Sequence, residues 1–348
     1  MSLGINGLNV SYVSFNAKKP AEESSGNKKT GKAKQFAKSL AGVAAGTAVY
    51  AGLPKLIKKF TKPYGLKVAE GLSNACKPYE IETVNNAVQT AFEQTGLKAN
   101  GFRIHNVNSV SSLKVVSKDI SEKIDKILME KIDKVKKVLP EKLTNKIPFE
   151  RMTQACPGTE GMFDQPLKMV LDGKNAFCAS ATKDIAVNLE KMPMATFHEM
   201  GHAVNSTTKL GKLLQASAGP MRMFAVPVIL AVALLKRNKA EGEKTQGAVD
   251  KTTTFIKNNA GKLAFAAWLP TLAEEGMASI RAAKMAKGAG LSVDLLKNLN
   301  KGNAKAWTTY LIAAITTTIA VRAAVWVKDK IAESKGKKQA VMNDTKIA

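Results

Sequence analysis

One five-residue segment, His-Glu-Met-Gly-His at positions 198–202, carries two of the three histidines in this chain. Positions i and i+4 of an α-helix share a face, so the imidazoles of His198 and His202 can reach one metal ion. Glu199 lies near the same face and can contact a water on that metal. The spacing therefore predicts a zinc site in which Glu199 is the catalytic base. A core helix with two buried histidines is the alternative.

The residues before this segment predict that it lies on a helix. Between positions 184 and 189, apolar residues alternate with polar or smaller ones, as in a half-buried strand. Pro193 then suits the first turn of a helix, where its missing N–H group costs nothing. The pattern predicts a helix over residues 193–209 that stops at Gly211.

The segment from Asn175 to Asn205 resembles the core of the heat-shock and CAAX prenyl peptidases, a family of zinc metallopeptidases of the gluzincin type. In that family an Asn-Ala-Phe segment precedes an edge strand, and a helix then carries His-Glu-Leu-Gly-His with an asparagine after two further residues. The matching residues here are Asn175, Ala176, Phe177, the strand around Val187, the motif itself and Asn205. The resemblance implies that an extended substrate adds to this strand, backbone to backbone.

The same resemblance implies a third zinc ligand on a later helix. The family supplies it from a glutamate in a Glu-x-x-Ala-Asp segment, and this chain has Glu-Glu-Gly-Met-Ala-Ser at residues 274–279. Glu275 and Ala278 fit the family pattern, so Glu275 is the predicted ligand. Ser279 stands where the family has aspartate, and it can support a ligand by hydrogen bonding without adding charge.

Helix geometry separates the two adjacent glutamates. Glu274 and Glu275 point about 100° apart around a helix, so we expect only one of them to face the zinc. Ala278 and Ala282 follow Glu275 on its own face, and they are small enough to let this helix approach the motif helix at Gly201. The packing favours Glu275 and predicts that zinc stays bound without Glu274.

Other elements of the predicted peptidase domain are read from apolar spacing. A helix is predicted at residues 78–97, and a short strand follows at 102–107. His105 lies on that strand, where a lone histidine is more often structural than a zinc ligand. A long helix rich in Lys and Glu comes next, with an apolar stripe along one side.

Composition predicts that the protein associates with an anionic surface. The formal net charge is +25 at pH 7, and hydrophobic residues make up 45% of the 348 residues. Such a charge attracts membrane headgroups or nucleic acid. Aromatic residues are only 6% of the chain and are not interleaved with basic ones, which argues against specific nucleic-acid binding. Three widely spaced cysteines argue against a disulfide framework and for a reducing compartment.

Several apolar segments are long enough to associate with a membrane. Residues 39–53 carry a G-x-x-x-G pattern but fall short of a full span, so they form a short or tilted membrane helix, an interfacial helix or a packed one. Two apolar runs at 223–235 and 263–273 are each about half a spanning length, which suits core helices or a shallow re-entrant pair. The best spanning candidate is 306–327, which has one charge and aromatic residues near its ends, with a buried core helix as the alternative.

These observations predict a domain organisation in five parts. They are a disordered basic arm (1–38), a hydrophobic helix that is a candidate membrane anchor (39–60), a zincin-like peptidase domain (78–300) with an inserted helix (113–140) and a hydrophobic hairpin (213–273), a candidate transmembrane helix (305–328) and a basic tail (329–348). The loop 236–262 is strongly basic, which favours the cytoplasmic side of a membrane. The catalytic domain is predicted on that side as well, which requires the hairpin to dip into the membrane and return.

The sequence thus predicts an α+β, mostly helical fold with a zincin-like core and added hydrophobic helices. The predicted function is a membrane-associated zinc endopeptidase that cleaves protein or peptide substrates. A His₂Glu site leaves the fourth zinc position for water, and Glu199 takes that water's proton as it attacks a peptide carbonyl. The alternative is a basic membrane-binding scaffold protein with a degenerate or purely structural metal site.

Overall fold

The computed structural model describes residues 40–53, 75–138, 161–236 and 247–344, together with the single positions 55, 71 and 140. Within these residues the chain is mostly helical and has one small three-stranded sheet. The predicted α+β, mostly helical class is therefore confirmed. The predicted basic arm, residues 1–38, lies outside the described residues.

The described chain contains the following helices and strands. The helices are α1 (Leu40–Leu53), α2 (Ile81–Gln94), α3 (Val110–Val138), α4 (Asp164–Leu171), α5 (Ala195–Thr207), α6 (Lys209–Pro220), α7 (Val226–Leu235), α8 (Gly247–Asn258), α9 (Ala260–Ala266), α10 (Leu269–Gly288) and α11 (Val293–Asp344). The strands are β1 (Arg103–Asn106), β2 (Phe177–Ala179) and β3 (Asp184–Val187). A 3-10 turn (Pro78–Glu80) precedes α2, and a π-helical turn (Met221–Ala225) joins α6 to α7.

The sheet has the order β1-β3-β2, so β3 is its central strand. It pairs in parallel with β1 and antiparallel with β2. All four of its residues are buried, because Ile185 packs with core residues of α2 and α5 while Ala186 packs with residues of α3 and α4. The predictions of a half-buried strand and of substrate addition around Val187 are therefore wrong, since both edges of this strand are already paired.

The chain divides into two compact units. The described residues of the first unit are 71, 75–138, 140, 161–215 and Ala273–Thr309. The second unit takes in α1, the described part of Ala216–Leu272 and the rest of α11 from Tyr310. The predicted peptidase domain, 78–300, therefore contains a segment that belongs to the second unit.

The core of the first unit holds α5 and α10 in place. The apolar face of α2 contributes Val84 and Val88, which pack in one cluster with Phe197 and Met200 of α5. Ala282 and Ala286 of α10 join the same cluster. Burying large apolar side chains is worth about 1.5–3 kcal/mol each, so this cluster fixes the two helices that carry the motif residues.

The motif helix ends earlier than the sequence predicts. α5 stops at Thr207 and α6 starts at Lys209, so Gly211 lies inside α6 and does not end the helix. A Cβ atom at Gly211 would overlap the carbonyl oxygen of Asn205. The glycine is needed for the close return of α6 over the end of α5, and the prediction of a helix stop there is wrong.

The second unit contains the helix with the G-x-x-x-G pattern. A Cβ atom on Gly46 would lie 2.7 Å from Cδ2 of Leu234 and 2.8 Å from the carbonyl oxygen of Ala324. Only glycine lets α1 approach α7 and α11 this closely. The segment is therefore helical and packs closely on α7 and α11 at Gly46.

Two helical stretches of the described chain are long and apolar enough to cross a membrane, Lys209–Leu235 and Val293–Glu333. In the most apolar 18-residue segment of each stretch, only 22% is buried within the protein, which argues against a buried core helix. In the second half of the predicted hairpin, the run at 263–273 is split between α9 and α10. α11 continues through most of the predicted basic tail, to Asp344.

Candidate metal centre

The motif helix α5 and helix α10 approach each other closely at one point. A Cβ atom on Gly201 would overlap the carbonyl oxygen of Ala278 and lie 2.9 Å from its Cα atom. Ala278 and Ala282 are both fully buried. The small-residue packing that the sequence predicts is therefore present, and it brings the glutamates of α10 against the histidines of α5.

Three side-chain atoms converge between these two helices. The Nε2 atoms of His198 and His202 lie 3.0 Å apart, and Oε2 of Glu275 lies 3.2 Å from the first and 3.6 Å from the second. Ligands about 2.0–2.2 Å from a tetrahedral metal ion are separated from each other by roughly 3.4 Å. The three atoms thus form a triangle of the size that three ligands of one such ion require.

The second nitrogen of each imidazole is also occupied. Nδ1 of His202 lies 2.8 Å from Oε1 of Glu274, and Nδ1 of His198 lies 3.4 Å from the hydroxyl of Ser279. That hydroxyl donates to the backbone oxygen of Glu275 at 2.9 Å, so it accepts from the Nδ1–H group of His198. Such partners fix the tautomer of each ring and turn its Nε2 atom toward a metal.

Glu274 has a role that the sequence did not indicate. Its carboxylate was expected to point elsewhere, yet Oε1 accepts from Nδ1 of His202 and from Nδ2 of Asn205 at 3.1 Å. Nε2 of Gln215 donates to the same oxygen at 2.9 Å. The two glutamates do point in different directions around α10, but both reach the same imidazole, one at each nitrogen.

Glu199 lies within the same cluster. It is 1% exposed, and one of its carboxylate oxygens lies within 4.8 Å of ligand nitrogens of His198 and His202. A carboxylate at this distance is close enough to reach a water on a metal held by those nitrogens. The structure therefore groups His198, Glu199, His202 and Glu275, as the sequence predicts.

Charge stabilises the centre in the absence of a metal. Burial alone would lower the pKa of His202, but the carboxylates of Glu275 and Glu274 outweigh it and hold this pKa well above its ordinary value. Burial would raise the pKa of Glu275, but the imidazoles of His202 and His198 hold it well below its usual range. The raised pKa of His202 favours the protonated ring in the metal-free centre, so a metal competes with a proton at this site.

Metal binding is expected to release about one proton per chain at neutral pH, because His202 must be neutral to act as a ligand. The sign follows from the raised pKa: below that pKa the proton competes with the metal, so apparent affinity falls about tenfold for each unit by which the pH is lowered. Titration calorimetry in two buffers of different ionisation enthalpy measures this release. Equal apparent enthalpies in the two buffers would contradict it.

The remaining predicted site residues differ in their placement. Asn175 comes just before β2 and is 5% exposed, and its Oδ1 atom has no hydrogen-bond partner within the described part of the chain. Asn205 and Ser279 contact the centre through Glu274 and His198. Val187 is buried in the central strand and does not lie at an edge of the sheet.

His105 belongs to a separate ion-pair network. Its Nε2 atom lies 2.8 Å from Oδ1 of Asp184, which also accepts from Arg103 at 3.1 Å and from Lys123 at 2.9 Å. Arg103 in turn contacts Asp119 at 2.7 Å. Cationic side chains thus already neutralise both carboxylates, so the network ties α3 to β1 and β3 and does not suit a metal. The expectation of a structural role for His105 agrees with this arrangement.

Gln215 is a second residue, besides Glu274, whose role in the site the sequence did not indicate. It lies on α6, outside the motif and outside any repeat of its spacing, and nothing local in the sequence signals its contact with Glu274. Comparisons of the chain with protein-family models, with curated proteins and with solved structures give no match.

Proposed function

We propose that this protein is a membrane-associated, zinc-dependent endopeptidase with a zincin-like core. The observation that carries the proposal is the convergence of His198, His202 and Glu275 on one point, with Glu199 on the same helix as the histidines. Two imidazoles and one carboxylate are a donor set that zinc prefers, and they leave one coordination position open. Catalytic zinc sites that hydrolyse peptide bonds use such a donor set with an open position for water.

The residues of the centre divide the work of peptide hydrolysis. Bound zinc would acidify a water and polarise the scissile carbonyl. Glu199 accepts the proton of the attacking water as general base and then donates it to the departing amine. Glu274 and Ser279 hold the rings of His202 and His198 in orientation throughout, since each is hydrogen-bonded to the ring nitrogen that faces away from the metal point.

The sheet supports a specific path for the substrate backbone. Because β3 is central, β2 is the outer strand of the described sheet on the side opposite β1, and it contacts α5. An extended peptide that pairs with β2 would run past the motif helix. Asn175, two residues before β2, has a buried amide oxygen without a hydrogen-bond partner in the described part of the chain.

Metal analysis of the purified protein tests the proposal. We expect about one zinc per chain after zinc supplementation and dialysis, because the donor set is complete within one unit. His198→Gln should lose the metal, while His105→Gln is the matched control that should retain it, since His105 bonds to Asp184. A wild-type content well below one zinc per chain would contradict the proposal.

The location at a membrane rests on the two long apolar helices, Lys209–Leu235 and Val293–Glu333. If the stretch Lys209–Leu235 enters the membrane and returns on the same side, then the basic segment 236–262, which contains α8, shares the cytoplasmic side with the catalytic unit, as the positive-inside rule favours. We expect the protein to sediment with membranes and to stay there in high salt, because inserted apolar helices are insensitive to screening. Cell fractionation with a salt wash measures this, and release by salt would indicate electrostatic surface binding instead.

A further inference from the structure

The side-chain nitrogen of Gln215 donates two hydrogen bonds. Its Nε2 atom donates to Oε1 of Glu274 at 2.9 Å and to the backbone carbonyl oxygen of His202 at 2.9 Å. Oε1 of Glu274 is the atom that faces Nδ1 of His202. The amide therefore holds both the backbone of His202 and the carboxylate that orients its ring.

The burial of Glu274 makes its carboxylate depend on the hydrogen bond from Gln215. The Glu274 side chain is only 9% exposed, so its oxygen depends on protein donors to replace water. Three donors meet at Oε1: the His202 ring, Nδ2 of Asn205 and Nε2 of Gln215. Removing one donor from a buried carboxylate leaves it freer to turn and less able to fix the imidazole.

The position of Gln215 in the chain links this contact to the apolar helices. Gln215 is the last residue of the first unit before the chain enters Ala216–Leu272, and Glu274 is the second residue after the chain returns. α6 runs on into the candidate span Lys209–Leu235, and α10 begins at Leu269. The hydrogen bond therefore joins α6 and α10, each of which has residues in both units.

We propose that Gln215 is a positioning residue for His202, acting through Glu274 from the helix that continues as the first candidate membrane span. The hydrogen bonds described for its side chain go to the backbone oxygen of His202 and to Oε1 of Glu274, and not to the three converging ligand atoms. Its effect is to hold the ring of His202 with Nε2 directed at His198 and Glu275. Of the two tests below, the rate of zinc release rests on the proposed metal site, and the imidazole signals of the metal-free protein do not.

The first readout is the rate at which zinc leaves the protein. Gln215→Met keeps the length of the side chain and removes the donor, so we expect zinc to transfer to a chromogenic chelator about 10–100-fold faster, as for loss of an outer hydrogen-bonding partner. Gln215→Glu should release zinc at least as fast, because it sets a second carboxylate against Glu274. Gln89→Ala is the matched control, since Gln89 donates to Glu93 on the exposed surface of α2.

The second readout requires no metal. The chain has only three histidines, so ¹⁵N-labelled imidazoles give three sets of signals that single His→Gln variants assign. In chelator-treated protein, Gln215→Met should shift the signals of His202 and leave those of His105 unchanged. Unaltered His202 signals together with a wild-type rate of zinc release would overturn the role of Gln215. A wild-type protein that binds no zinc would defeat the proposed function, yet the imidazole signals would still decide the role of Gln215.

Discussion

Glu199→Gln is expected to abolish peptide cleavage while the protein keeps its metal. Glutamine has nearly the same shape as glutamate, so the packing of this 1% exposed side chain is preserved. Its amide cannot accept the proton of the attacking water, and loss of a general base costs about 10²–10⁴-fold in rate. The metal donors His198, His202 and Glu275 are untouched.

Two measurements on one preparation test this expectation. The value of kcat/KM for a peptide substrate should fall by the stated factor, and the zinc content should equal that of the wild type. Glu82→Gln makes the same chemical change at an exposed position on α2 and should alter neither quantity. Wild-type activity in Glu199→Gln would remove Glu199 from the mechanism.

Glu275→Ala is expected to weaken zinc binding by more than about 100-fold, above the usual cost of losing an outer hydrogen-bonding partner. The carboxylate of Glu275 is the only anionic ligand among the three converging groups. It also contacts the imidazoles of His198 and His202 at 3.2 and 3.6 Å. Removing it therefore takes away a ligand and a counter-charge together. Zinc titration against a competing chelator measures the change.

The neighbouring glutamates supply a graded comparison. Glu274→Ala removes the partner of His202 Nδ1 and should cost about 10–100-fold in zinc affinity. Glu93→Ala removes an exposed carboxylate that accepts from Gln89 and should cost nothing. If Glu274→Ala proved more damaging than Glu275→Ala, then the inner and outer roles of these two residues would have to be exchanged.

The features that could be predicted from the sequence are those that spacing along one helix determines. His198 and His202 share a face of α5 because they are four residues apart. Glu275 shares a face of α10 with Ala278 and Ala282, and those small residues permit the approach to Gly201. Helical period and side-chain size are local properties, so they required no knowledge of the fold.

The features that could not be predicted depend on tertiary pairing. The central position of β3 is set by β1 and β2, which are distant in sequence, and its alternating pattern looks the same whether one face or both are covered. The contact of Glu274 with His202 and Gln215 depends on how α6 returns over α5. Gly211 allows the close contact of α6 with the end of α5, because it has no Cβ atom. A glycine after an apolar helix also predicts a helix end, so the sequence alone does not distinguish the two roles.

The most direct test of the proposed endopeptidase is cleavage of an unfolded protein such as casein by the purified, zinc-loaded chain. We expect internal cleavage that a chelator abolishes and about one equivalent of zinc restores, with new termini identified by mass spectrometry. A folded preparation that holds one zinc per chain and cleaves no peptide bond would contradict the proposal. That result would favour the scaffold protein with a structural metal site.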